Sequence, residues 1–78
     1  MDNYLKHLLD KLPASKEFNK NENGCHIKIM IENKFDDLVQ HLQNIGYIYK
    51  TISEIVLHLQ KVYKVVVKYT LDEINILY

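Results

Sequence analysis

Phe35, Leu38, Val39, Leu42 and Ile45 recur at steps of three and four, which draws one apolar stripe along a helix over residues 34 to 45. Asn33 stands where an N-cap belongs, and Asp36 and Asp37 put negative charge in the first turn, where the helix dipole favours it. Gly46 marks the expected stop, as a glycine that can take a left-handed conformation. A single apolar stripe needs a single apolar surface to cover it. The nearest candidates are residues 25 to 32 before it and the run from Tyr47 after it.

The same pattern divides the rest of the chain. Tyr4, Leu5, Leu8, Leu9 and Leu12 form the stripe of a helix over residues 1 to 12, capped by Asp2 or Asn3 and stopped by Pro13. Residues 13 to 24 offer only Phe18 for burial and predict a loop, closed by the turn signal Asn23-Gly24. Over residues 25 to 32, Cys25, Ile27, Ile29 and Ile31 alternate with His26, Lys28, Met30 and Glu32, the pattern of a half-buried strand. With the β-prone Tyr47-Ile48-Tyr49, this strand and the central helix predict a β-α-β unit.

Residues 51 to 61 carry two readings. Thr51 with Glu54 matches a capping box before a helical face of Ile52, Ile55, Val56 and Leu59, whereas Ile55, Leu57 and Leu59 also alternate as a strand would. The run into the β-branched segment from Val62 to Thr70, with no Gly, Pro or Asn between, favours a long antiparallel ribbon. Residues 47 to 78 are thus read as mainly strands. Ile74, Ile76 and Tyr78 alternate with Asn75 and Leu77 in a final strand expected to pair back on its predecessor and to lie at an edge. The expected fold is a single α+β domain over residues 1 to 78, with one main helix on a mixed or antiparallel sheet.

Length adds a constraint: a core built from 78 residues rarely supplies more than roughly 3 to 5 kcal/mol, so support from another chain is expected, as a homo-oligomer or in complex with another protein. The lone cysteine cannot close an internal disulfide, and with no signal peptide in the sequence it predicts a reducing, cytoplasmic compartment. No apolar run reaches the roughly 20 residues that span a bilayer, so no membrane partner is expected. Ten basic residues balance ten acidic ones, and every basic residue is lysine. Without arginine, the usual tool for bidentate phosphate and guanine recognition is missing. Abundant Asn, Ile, Lys and Tyr without Arg or Trp is what AT-rich codons produce, and a small accessory protein of a phage or other mobile element fits that bias.

Candidate chemistry is sparse. His7, Cys25, His26, His41 and His58 lack ligand-like spacing, and Cys25 and His26 point to opposite faces of one strand, so no metal site is expected. Cys25 lies in phase with three isoleucines as a core residue, with no base or oxyanion hole indicated, and neither catalysis nor a cofactor is expected. The expected function is that of a non-enzymatic interaction module, a regulator, inhibitor or assembly subunit. Its candidate interface is Tyr4 and Leu8 of the first helix with Ile74, Ile76 and Tyr78 of the last strand. The alternative is weak binding of single-stranded nucleic acid through Tyr49, Lys50, Lys61, Lys64 and Lys68, although Tyr63 and Tyr69 alternate out of phase with Lys64 and Lys68.

Overall fold

A computed structural model describes residues 2–32 and 37–78. Helix α1 (Asn3–Lys11) is followed by strands β1 (Ser15–Asn21) and β2 (Gly24–Met30), helix α2 (Leu38–Gln60), and strands β3 (Val66–Tyr69) and β4 (Glu73–Leu77). The strands form one antiparallel sheet in the order β1-β2-β4-β3, and the architecture is α+β. The two helices cover one face, where Leu5, Leu8, Leu9 and Leu12 meet Ile27, Ile29, Ile74 and Ile76 together with Ile48, Ile52, Ile55 and Leu59.

Helix α1 forms as its stripe predicts. Asp2 caps it, its carboxylate accepting from the Leu5 amide at 2.7 Å, and the chain leaves the helix at Leu12, just before Pro13. Strand β2 likewise fits its alternation, with Ile27 and Ile29 fully buried.

The expected β-α-β unit does not occur. Residues 13 to 24, expected as a loop, contain β1, which pairs antiparallel with β2 through Phe18 opposite Ile27 and Lys20 opposite Cys25. All seven of its residues are exposed, so backbone pairing and not side-chain burial defines this edge strand. Its lysines and glutamate suit an edge that must not recruit another strand. Asn21 closes the hairpin by accepting from the Asn23 amide at 2.8 Å. Gly24 then takes a φ of +136°, and a Cβ there would lie 2.5 Å from the Tyr78 carbonyl oxygen, so only glycine fits.

The larger correction concerns α2. It does not stop at Gly46 but runs to Gln60, taking in Tyr47-Ile48-Tyr49 and the segment read as ribbon. The proposed cap Asn33, with Phe35 and Asp36, lies outside the described residues; Asp37 caps the helix, accepting from the Val39 amide at 3.0 Å and the Gln40 amide at 3.3 Å. Helical continuation through Gly46 costs about 1 kcal/mol relative to alanine. Each of Ile48, Ile52, Ile55 and Leu59 gains roughly 1.5 to 3 kcal/mol on burial, so continuation wins. Thr51, read as a possible cap, instead donates its hydroxyl to the Tyr47 carbonyl at 3.0 Å from inside the helix.

The helix end also shortens the strand expected over residues 62 to 70. The amides of Val62 and Tyr63 both return to the Leu59 carbonyl, at 3.1 and 2.8 Å, so pairing begins only at Val66. Strand β4 pairs back on β3 as expected, but it also pairs with β2, through Ile27 opposite Ile76 and Ile29 opposite Ile74. The final strand is therefore central and the edges are β1 and β3.

Two substitutions test this account by urea denaturation. Ile55→Val removes one methylene from a site with no exposure and is expected to cost about 0.5 to 1.5 kcal/mol. Gly24→Ala, which meets backbone at 2.5 Å and an unfavourable φ, is expected to cost more than that; an unchanged midpoint would contradict the close approach to Tyr78.

Candidate interaction surface

The residues expected to form an interface are dispersed by the fold. Leu8, Ile74 and Ile76 are 1%, 3% and 0% exposed, because α1 turns Leu8 inward and β4 is flanked on both sides. Tyr78 is half-buried against Tyr63, with ring centroids 5.2 Å apart, and exchanges both backbone hydrogen bonds with Cys25, at 2.8 and 3.0 Å. Tyr4 alone of the five is exposed, and its ring meets His58 edge-on at 4.7 Å. That contact is intramolecular: His58 Nε2 also lies 3.1 Å from the Asp2 carboxylate, tying the start of α1 to the last turn of α2. The Asp2 carboxyl is held below its ordinary value by the Leu5 amide first and then by His58.

The candidate nucleic-acid contacts come from three parts of the fold. Tyr49 and Lys50 lie midway along α2, and Lys61 and Lys64 lie in the turn after it. Lys68 is on β3 opposite Asn75, on the sheet face turned away from the helices. That outer face is laced by polar contacts. His26 Nε2 lies 2.7 Å from Asn75 Oδ1, Asn75 donates to Glu73 at 3.1 Å, and Lys28 stands 3.8 Å from the same Glu73 oxygen.

A different surface carries a run of exposed apolar side chains. The inward face of α2 consists of positions 48, 51, 52, 55 and 59, all buried, whereas positions 39, 42, 46, 49, 53 and 57 line the side facing away. There Val39, Leu42, Tyr49 and Leu57 are 65%, 58%, 52% and 63% exposed. Leu38, beside them, is also exposed, and none of the helix's first ten residues is buried. Of the stripe read as core-facing, Leu38, Val39 and Leu42 therefore point outward, Ile45 is half-buried, and Phe35 lies outside the described residues. Residues 38 to 49 include no Asp, Glu, Lys or Arg in a chain that is 26% charged. Charge depletion over exposed aliphatic and aromatic groups is the composition found at the centre of protein interfaces.

Gly46 lies in the middle of this face. A Cβ there would have nothing within 4 Å, so no contact among the described residues calls for glycine at a position where alanine would make a better helix.

A groove of about 530 Å³ separates the first half of α2 from the α1–β1 connection, lined among others by Ile31, Glu32, Asp37, His41 and Ile45. Its Asp37 carboxylate is engaged by the helix cap. Among the described residues no three His, Cys, Asp or Glu side chains are grouped to hold a metal, and no helix is long and apolar enough to cross a membrane. Compared with protein-family models, with curated proteins and with solved structures, the chain matches none of them.

Tyr78 supplies a titration marker for the closed sheet. Burial first, and then the neighbouring Cys25, pushes its phenol up to about 12. With the folded value above the unfolded one near 10, its contribution is complete below pH 10 and is lost as pH rises towards 12. Absorbance titration is expected to show an ionisation near pH 12 that Tyr78→Phe removes. A titration that the substitution leaves unchanged in that range would contradict this environment.

Proposed function

We propose that this chain is a small non-enzymatic interaction protein, a regulator, inhibitor or assembly subunit, that binds a protein through the outward face of α2. The carrying observation is that α2 is apolar on two sides while its own sheet covers one. A helix apolar on both sides is normally buried on both. The cost of leaving Leu38, Val39, Leu42, Tyr49 and Leu57 in water is recovered when another protein covers them. An accessory role in a phage or other mobile element agrees with the size and residue usage.

Affinity capture from a lysate, run with and without nuclease and with Leu42→Glu beside the natural chain, tests this reading. Leu42 is exposed, so the variant is expected to keep its circular dichroism spectrum. A stoichiometric protein should be retained through nuclease treatment and lost with Leu42→Glu. Recovery indifferent to Leu42→Glu removes the helix face, and recovery abolished by nuclease favours a nucleic-acid partner through the lysines instead.

A further inference from the structure

Resting on that reading, we infer that the occupant of the outward face is a second copy of this chain, its α2 antiparallel to the first and crossing it at Gly46. Three features of the face select this partner. The first is charge. Positions 39, 42, 46, 49, 53 and 57 are all uncharged, so the face has nothing to pair with a charged partner and would bury such charges uncompensated. A copy of the same neutral face brings none.

The second feature is the glycine. It is exposed, its missing Cβ faces open space, and it lies midway along the face, where two helix backbones can approach closely only if neither carries a side chain. A two-fold axis through this point is isologous and closed, as most dimers are. Leu42 lies four residues before Gly46 and Tyr49 three after it, so an antiparallel pair sets Leu42 of each copy against Tyr49 of the other. Val39 then meets Ser53 at either end. A parallel pair would instead place Lys50 beside its own copy and align the helix dipoles.

The third feature is extent. Val39, Leu42 and Tyr49, each more than half exposed, all lie within the stretch from position 39 to position 53 that such a pair covers. Helix α1 does not obstruct it. Through Asp2 and Tyr4 it rests on His58, on the flank away from Leu42 and Tyr49.

Sedimentation equilibrium and cysteine cross-linking test the inference. At about 100 µM the chain should sediment with twice its 9.3 kDa mass. Leu42→Glu and Gly46→Leu should each return it to 9.3 kDa with helix content unchanged. In a Cys25→Ser background, a mixture of Val39→Cys and Ser53→Cys chains should form a mixed disulfide dimer on mild oxidation, because the two positions meet at either end of the pair, and neither variant should cross-link with itself. Cross-linking of either variant with itself would replace the antiparallel pair with a parallel one and overturn the inference. A chain that stays monomeric overturns it too, and the capture experiment then separates two cases. Loss of a captured protein with Leu42→Glu leaves the binding face intact with a different occupant, whereas no Leu42-dependent capture removes both readings.

Discussion

Every other feature of this molecule depends on the pairing of β2 with β4. Ile27, Ile29, Ile74 and Ile76 meet across that single ladder, and the four together make the floor on which both helices rest. Because β2 and β4 are central, their side chains are buried on one face and their backbones are satisfied on both sides. The outer strands need contribute little beyond hydrogen bonds. Strand β1 is therefore free to be polar at every position but Phe18, and β3 to be only four residues long.

This division explains which elements could be read from the chain. Helix α1, strand β2 and the final alternating strand carry apolar periodicities that match their own burial. Strand β1 carries no such signal, since its partner's backbone defines it and Lys16, Phe18 and Lys20 are all that it turns towards the helices. Helix α2 misleads for the opposite reason. Ile55 and Leu59 point to the sheet while Leu57 points to solvent, so a helix with two apolar sides produces the alternation of a strand. Tyr47-Ile48-Tyr49 does the same, with Ile48 inward and both tyrosines out.

The outward apolar side of α2 was hidden by the same ambiguity. Leu38, Val39 and Leu42 were legible as an apolar stripe, but periodicity alone does not say which apolar side of a helix its own sheet will take. The sheet takes the side with the β-branched residues Ile48, Ile52 and Ile55, which fill the ridge of isoleucines beneath them. Gly46, which a one-dimensional reading takes for punctuation, acquires meaning only once the helix is seen to pass through it.

The position of β4 also has a consequence for the order in which the chain can fold. The β1–β2 hairpin is local and can close early, but the free edge of β2 waits for a strand made about 50 residues later, since Ile27 pairs with Ile76. The helix and the hairpin both precede that strand in the chain, so they can meet while Ile27 and Ile29 still lack their neighbours on β4. For that interval an apolar strand edge, later the most protected line in the protein, is open to any other extended chain.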